Sequence, residues 1–327
     1  MATIRPLQTS DLAALRELFR SFPHKESQQR FQGIDAGALA DFFTEAERTR
    51  LQAAAGPARR WIGEEHGVPV VFAGLQADEW HSRFYPFRFG RVAPLLTHRA
   101  STGARYEMIH TLIAASREAG FGHVSVRIDG SEYDLLHLLQ SRGYLLVDCS
   151  MKLSAPLARI AELAPPSRAG GMAIREYRTE DLPAIREIAA GSHSVNHFYN
   201  DPHLGREETN RLFAAWVERC CAMSAATVFV LTHRERPCGF AIYLNPAAFN
   251  RALGAHLVIL DFVCVAPAAR GGGVGRWFIS QTLRRLGKNF TMVELRTSEN
   301  NYAALGCYEA LGMQIISSDF ILHRHEP

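Results

Sequence analysis

The chain has 327 residues, of which 47% are hydrophobic and 21% charged, and its formal net charge is +3. This length fits two globular domains of about 150 residues each, and the composition excludes a largely disordered chain. The charge is too small to indicate a nucleic-acid partner. No apolar run approaches the about 18 residues of a membrane span, and the start does not resemble a secretory leader, so we expect a cytoplasmic protein with no membrane partner.

The first predicted elements occur twice in the chain. Residues 4–18 (IRPLQTSDLAALREL) align with residues 174–188 (IREYRTEDLPAIREI), with eight of fifteen positions identical. In each copy a short apolar strand leads into a Thr-x-Asp-Leu turn, where Thr or Asp can cap the helix that follows. The pattern therefore predicts a tandem duplication of one α/β unit.

The two copies also end alike. Residues 135–153 and 304–322 each predict a helix that ends at a C-cap glycine, followed by an alternating strand. The prolines and glycines of residues 154–171 are typical of an exposed connection. We therefore expect an N-terminal domain, a linker and a C-terminal domain over residues 1–153, 154–171 and 172–327.

A glycine-rich turn in the second copy carries the chemistry. A buried strand is predicted over Leu257–Val265, Pro267 ends it, and the turn opens an amphipathic helix. Glycines let the backbone approach a ligand closely, and the free N–H groups of a first helical turn attract phosphate. A P-loop is excluded because Gly275 is followed by Arg276 and Trp277, and a Rossmann turn would follow the first strand of its domain. The turn predicts a diphosphate cradle.

The pattern Val265-x-Pro267-x-x-Arg270-Gly-x-Gly273-x-Gly275 resembles the acyl-CoA signature of the GNAT superfamily of N-acyltransferases. The resemblance implies tandem GNAT folds of the α/β class, each a mixed, mostly antiparallel twisted sheet with a splay between strands 4 and 5, flanked by helices. It implies acetyl-CoA as co-substrate and no metal, and the six cysteines lack metal-ligand spacing. The resemblance also implies which residues in and before this turn bind the donor: Val263, Cys264, Val265, Arg270, Gly271, Gly272, Gly273, Val274, Gly275 and Arg276.

A second segment supports the same family. Asn301 and Tyr308 lie seven residues apart ahead of Gly312-Met313, which resembles the family's second signature with Met in place of the usual Phe. Seven residues is close to two helical turns, so both side chains are predicted on one helix face, towards the pantetheine arm and thioester. The resemblance implies that Tyr308 protonates the departing thiolate. Cys264 is expected to be a core thiol, because the family acylates directly from the ternary complex.

An ammonium acceptor must lose a proton before it attacks, so a base or a water relay is needed. Asp261 occupies a place where many family members carry an acid, and an unpaired carboxylate in an apolar strand is costly. Glu294 and His197 are the alternatives. A structural ion pair is an equally good interpretation of any of the three.

Two further segments resemble enzymes that acetylate the 4-amino group of nucleotide-linked fucosamine. Residues 77–92 carry Trp80, Ser82 and Phe84 of a Trp-Asp-Ser-x-Phe-Phe-Gly-like run, and residues 197–221 match the acceptor-side segment. Aromatic rings can stack on a sugar or base, and Asp or His can hold hydroxyls or the amine. The expected acceptor-side residues are Trp80, His193, His197, Phe198, Tyr199, Asp201 and His203, and a solvated loop is the alternative.

The first copy lacks the chemistry of the second. Where the glycine turn should lie, residues 97–110 read THRASTGARYEMIH, with one glycine. Leu139 stands at the position of Tyr308. We expect a degenerate N-terminal domain that packs against the second copy and binds no coenzyme A, or binds it poorly.

The function predicted is acetyl transfer to a primary amine of a small molecule, plausibly a nucleotide-linked amino sugar. An amino acid, polyamine or aminoglycoside acceptor is one alternative, and a non-catalytic acyl-CoA sensor is another. The retained Tyr308 favours an enzyme. We expect a monomer with an internal pseudo-dimer, or a homodimer.

Overall fold

A computed structural model describes residues 2–21, 33–53, 59–97, 99–192 and 195–326. The chain divides into two compact units. The N-terminal unit comprises Met1–Cys149 together with Ser317–Pro327, and the C-terminal unit comprises Ser150–Ile316. No helix within the described ranges has the length and apolar character that a membrane crossing requires.

The N-terminal half begins with a strand and two helices and continues with alternating strands and helices. In chain order its elements are β1 (Thr3–Pro6), α1 (Leu12–Arg20), α2 (Ala36–Ala53), β2 (Arg60–Glu65), β3 (Val68–Ala77), β4 (Phe89–Leu96), α3 (Thr102–Glu118), β5 (His123–Asp129), α4 (Tyr133–Ser141) and β6 (Leu145–Pro156).

The C-terminal half repeats this order with two short additional helices, α6 (His197–Asn200) and α8 (Ala247–Leu253). Its elements are β7 (Met172–Glu176), α5 (Leu182–Ser192), α6 (His197–Asn200), α7 (Arg206–Cys221), β8 (Ala226–His233), β9 (Arg236–Leu244), α8 (Ala247–Leu253), β10 (Leu257–Val265), α9 (Val274–Leu286), β11 (Met292–Ser298), α10 (Tyr302–Glu309) and β12 (Gln314–His325).

Both units have the same mixed sheet. Four consecutive strands pair antiparallel (β1 to β4, and β7 to β10), and the fourth pairs parallel with the fifth (β4 with β5, and β10 with β11). Helices pack on the sheets, and one apolar cluster covers each face of the C-terminal sheet. The predicted fold class is confirmed.

The terminal strand segments are exchanged between the repeats. Residues 150–156 of β6 pair antiparallel with β11 in the C-terminal unit. Residues 319–325 of β12 pair antiparallel with β5 in the N-terminal unit. Residues 154–156, which the sequence analysis assigned to the connection, are therefore the end of a paired strand.

The duplicated start contains the same hydrogen-bonded ion pair in both copies. The Arg5 guanidinium donates to both carboxylate oxygens of Asp11, at 2.7 and 2.8 Å. Arg175 donates in the same way to Asp181, at 2.6 and 2.7 Å. In both copies this pair ties the first strand to the turn that caps the first helix, which explains why these residues recur in the sequence.

Candidate active site

A bulge in β10 creates the opening in the C-terminal sheet. Leu260 pairs with Tyr243 and Phe262 with Ile242, so Asp261 is an extra residue without a partner on β9. A one-residue bulge reverses the side chains that follow it. Val258 and Leu260 accordingly join one apolar cluster, whereas Phe262 and Cys264 join the cluster on the opposite face.

The splay predicted between strands 4 and 5 follows this bulge. The parallel pairing of β10 with β11 runs from Leu257 to Leu260 and stops there. Val263, Cys264 and Val265 pair only with β9 among the described strands, so one edge of this segment is not used by a protein strand. An extended ligand arm can add to such an edge through backbone hydrogen bonds.

The glycine turn begins directly after this strand. Gly271, Gly272 and Gly273 have φ angles of 91°, 58° and 84°, a left-handed conformation that non-glycine residues adopt at a cost. Gly273 is the N-cap of α9 and supplies no side chain to it. The Val274 amide donates to the carbonyl oxygen of Gly271 at 3.2 Å, whereas the amides of Gly275 and Arg276 have no acceptor within the helix. The turn therefore has the geometry of an anion cradle.

Three arginines surround the turn. Arg270 donates through Nε to the carbonyl oxygen of Val265 at 2.7 Å, and Arg276 is exposed in the first turn of α9. Arg168 donates to the carbonyl oxygen of Ala268 at 3.2 Å. A Cβ added to Gly272 would lie 3.2 Å from the Arg168 side chain. Arg168 is not predictable from the sequence as a site residue, because it lies in the connecting segment and only the fold brings it to the turn.

Tyr308 lies in the core cluster below the splay. Its side chain is buried, and Val263 and Val265 pack against the same cluster. Burial raises the pKa of the Tyr308 phenol. The hydroxyl is therefore protonated at neutral pH. Asn301 precedes α10 as its N-cap, and its amide donates to Thr297 Oγ1 at 3.0 Å. It is thus held by β11 at the open end of the splay.

Cys264 has the environment of a core residue. Its side chain is buried, and burial raises the pKa of the thiol to about 12. A thiol with such a pKa is protonated and weakly nucleophilic near neutral pH. This agrees with the expectation that Cys264 does not carry the acyl group.

Asp261 is hydrogen-bonded on one side and open to solvent on the other. The indole Nε1 of Trp216 on α7 donates to its Oδ2 at 2.7 Å. Desolvation by the surrounding protein raises the pKa of the carboxyl, and the Trp216 hydrogen bond opposes that rise. Solvent still reaches the carboxylate, so a substrate amine can approach it.

The alternative acid on the neighbouring strand is already paired. Glu294 is buried, and its carboxylate lies 2.8 Å from the ammonium of Lys152. Removing either charge would leave the other buried without its partner. Of the two carboxylates, Asp261 therefore has the better environment for proton transfer.

Aromatic residues of α6 and α7 pack beside β10. Tyr199 stacks on Phe213 with ring centroids 5.8 Å apart, and Phe213 lies 5.6 Å from Phe262, the residue after Asp261. The Tyr199 hydroxyl donates to Asn210 at 2.7 Å, and burial raises its pKa to about 12. Tyr199 is thus rigidly placed on the Asp261 side of the sheet.

The other predicted acceptor-side residues are in varied environments. Phe198 is buried and His197 half-buried beside it. Asp201 is buried and accepts from the His203 amide at 2.9 Å, as expected of a turn residue. Trp80 belongs to the N-terminal unit, where it packs edge to face against Phe84 at 5.4 Å. His193 lies outside the described residues.

The corresponding helix start of the N-terminal unit is occupied by its own side chains. Ser101 is the N-cap of α3 and accepts from the Ala104 amide at 3.1 Å. The Glu65 carboxylate accepts from the amide of Ser101, at 3.2 Å, and from its hydroxyl. Leu139, at the position of Tyr308, is buried. A carboxylate at this helix start repels an incoming diphosphate.

Known proteins resemble both the C-terminal unit and the whole chain. Residues 183–313 match the model of the acetyltransferase (GNAT) family. The spore coat polysaccharide biosynthesis protein SpsD of Bacillus subtilis is 22% identical over 252 residues, which cover 75% of this chain and 80% of that protein.

Two solved structures share the fold along nearly the full length. A GCN5-related N-acetyltransferase from Sphaerobacter thermophilus matches with a TM-score of 0.65 at 14% identity, over 99% of this chain and 95% of its own. A tandem GNAT protein from the clavulanic acid biosynthesis pathway matches with a TM-score of 0.60 at 15% identity, over 100% and 99%. Residues 183–313 thus match the GNAT acetyltransferase family, and the chain has the fold of a tandem GNAT protein.

Proposed function

We propose that the C-terminal unit transfers an acetyl group from acetyl-CoA to a primary amine of a small molecule, and that this amine belongs to a nucleotide-linked amino sugar. The observation that carries the proposal is the arrangement within one unit of the splayed strand, the side-chain-free glycine turn and the protonated Tyr308.

Two parts of the C-terminal unit bind different parts of the donor. The amides of the glycine turn and the nearby guanidiniums of Arg168, Arg270 and Arg276 bind the diphosphate. The free edge of Val263–Val265 pairs with the pantetheine arm, as a neighbouring strand would. The donor supplies an activated acyl group as a thioester. A backbone N–H of the same strand segment stabilises the oxyanion that forms when the amine attacks.

Two side chains move the protons of the reaction. Asp261 accepts a proton from the substrate ammonium, directly or through water, which frees the nitrogen lone pair for attack on the thioester carbonyl. The new carbon–nitrogen bond forms as the carbon–sulfur bond breaks. Tyr308 donates its phenolic proton to the leaving sulfur, and solvent returns the proton to Tyr308 afterwards. The nitrogen loses a second proton to solvent as the tetrahedral intermediate collapses, and Asp261 later releases its proton to solvent, so the products are an amide, a free thiol and one proton.

The acceptor class rests on the aromatic wall and on one relative. Tyr199 and Phe213 stack on each other on the Asp261 side of the sheet, and the Arg206 guanidinium lies 5.2 Å from the centre of the Tyr199 ring. Aromatic residues of this kind can pack against a sugar or base. The relative in Bacillus subtilis is named for polysaccharide biosynthesis, and its similarity covers 75% of this chain. Both observations favour a sugar-linked amine over a free amino acid or polyamine.

The test is product analysis with a broad acceptor panel. The protein is incubated with acetyl-CoA and amino-sugar nucleotides, free amino sugars, polyamines, amino acids and aminoglycosides, and products are read by mass spectrometry. We expect a gain of one acetyl group on an amino-sugar nucleotide. Acetylation of another class alone would contradict the acceptor assignment, and no product with tight acetyl-CoA binding would indicate a sensor.

The role of Asp261 is tested by two variants in the pH profile of kcat/KM. Since the pKa of Asp261 is raised, activity should fall as pH drops and the carboxylate protonates. Asp261→Asn should lower kcat about 10²- to 10⁴-fold and remove this acid limb. Trp216→Phe keeps the base but deletes the hydrogen bond that lowers its pKa, so the limb should move to higher pH. An unchanged rate and profile in Asp261→Asn would exclude the base role.

A further inference from the structure

Three histidines share one face of the neighbouring strands β5 and β12 in the N-terminal unit. His123 on β5 is the Cα partner of His325 on β12, and His323 is the partner of Ser125. Side chains alternate along a strand, so His323 and His325 point to the same face, and cross-strand partners point there together. The three imidazoles therefore come from two segments that are far apart in sequence but adjacent in the sheet.

Their rings are close enough to act on one ion. The centroid of His123 lies 4.5 Å from that of His323 and 4.9 Å from that of His325. One ring nitrogen of each lies within 4.8 Å of the others. Zinc–nitrogen bonds of 2.0–2.1 Å at tetrahedral angles place ligand nitrogens about 3.4 Å apart. Rotation about the side-chain torsions of the three residues covers the difference without moving the strands.

The surroundings limit the access of solvent to the cluster. His123 and His323 are buried, and His325 is half-buried. The ring of Phe89 lies 4.1 Å from that of His123, and the ring of Phe87 lies 6.0 Å from that of His325. An apolar shell around imidazole ligands strengthens their hold on a metal because it limits competition from solvent. On the opposite face of β5 and β12, Val124, Val126 and Leu322 lie in the apolar core.

We propose that His123, His323 and His325 bind a divalent transition metal, with zinc the expected ion. Imidazole suits zinc, copper and nickel, whereas magnesium and calcium prefer oxygen ligands. The ion links residues 319–325 of β12 to β5 and so fastens the exchanged strand segment to the N-terminal unit. The role proposed for the ion is structural.

The test is titration of the full-length chain, prepared without a polyhistidine tag and stripped with chelator, with Co²⁺ and Zn²⁺ as probes. We expect one Co²⁺ per chain, visible d–d absorption of a tetrahedral or five-coordinate site, and no thiolate-to-cobalt charge-transfer band. The absent band separates histidine ligation from binding by the six cysteines. Zn²⁺ should displace Co²⁺ and raise the Tm.

His325→Gln and His323→Gln are the test variants, and His137→Gln, an exposed histidine on α4, is the matched control. Loss of an outer-shell partner weakens a metal site 10- to 100-fold, so loss of a ligand should cost at least about 100-fold. His325 is only half-buried, so its variant should keep the wild-type circular dichroism. Absence of saturable wild-type binding below about 0.1 mM, or equal affinity in His325→Gln and His137→Gln, would overturn the proposal.

Discussion

The two repeats have one scaffold and differ where the fourth strand passes into its helix. Both units contain the arginine–aspartate pair at the start, the same strand pairing and a parallel pairing that covers only part of the fourth strand. In the C-terminal unit the helix begins at Gly273, whose N-cap position has no side chain. In the N-terminal unit Ser101 caps the helix and Glu65 binds Ser101.

The difference shows how a repeat can keep a fold and lose a ligand site. An anion cradle needs helix-start amides that are not satisfied by the protein, and Ser101 satisfies one of them. The Ser101 N-cap stabilises the N-terminal unit by about 1 kcal/mol, the typical value for such a cap. The Glu65 carboxylate bound to Ser101 repels phosphate. Fold and function are thus separable within one chain.

The largest effect is expected from Gly273→Asp. The substitution places a negative charge against the bound diphosphate, which costs about 3 kcal/mol or more and weakens donor binding at least about 100-fold. The wild-type chain should bind one acetyl-CoA, measured by titration calorimetry. Gly103→Asp, at the corresponding helix start of the N-terminal unit, should leave affinity unchanged. Two comparable sites in the wild type would show that the N-terminal repeat is not degenerate.

A smaller effect is expected from Tyr308→Phe, which makes the C-terminal repeat resemble the N-terminal one with its Leu139. Deleting a positioned acid should lower kcat about 100-fold, the lower end for such groups because a thiol leaves partly unassisted. The matched control is Tyr243→Phe, which removes another buried hydroxyl, bonded to Thr282 at 2.6 Å. The control should lose about 1 kcal/mol of stability but little kcat. Full activity in Tyr308→Phe, by thiol release, would make Tyr308 a packing residue.

The smallest effects are expected from neutralising the duplicated aspartates. Asp181→Asn should cost about 2 kcal/mol at pH 7, whereas Asp11→Asn should cost about 1 kcal/mol because Arg5 also pairs with Glu64. The Arg5 and Arg175 guanidiniums lower the pKa values of Asp11 and Asp181. Their stabilisation is therefore present above the ordinary carboxyl pKa and lost as pH falls through the lowered one. Urea denaturation at neutral and acid pH measures both; equal costs at the two sites would contradict the role given to Glu64.

The features predicted from sequence are those encoded locally. The duplication, the glycine turn, the helix carrying Tyr308 and the splay follow from short patterns and from the family resemblance. The Asp261 bulge, the position of Arg168 and the histidine cluster depend on which strands and segments pair, and no local pattern specifies that. The exchanged strand ends were missed for the same reason, since an alternating strand is compatible with either neighbour.

The exchanged strand segments have a consequence for how the protein is made. β5 completes its pairing only with residues 319–325, which the ribosome adds after the whole second repeat. The first repeat therefore cannot finish folding as it emerges, although domains usually fold in the order of synthesis. Its sheet edge stays unpaired until residues 319–325 have been synthesised, and pairings of such long sequence separation form slowly. A mutation that removes Ser317–Pro327 would therefore damage the first repeat rather than the second.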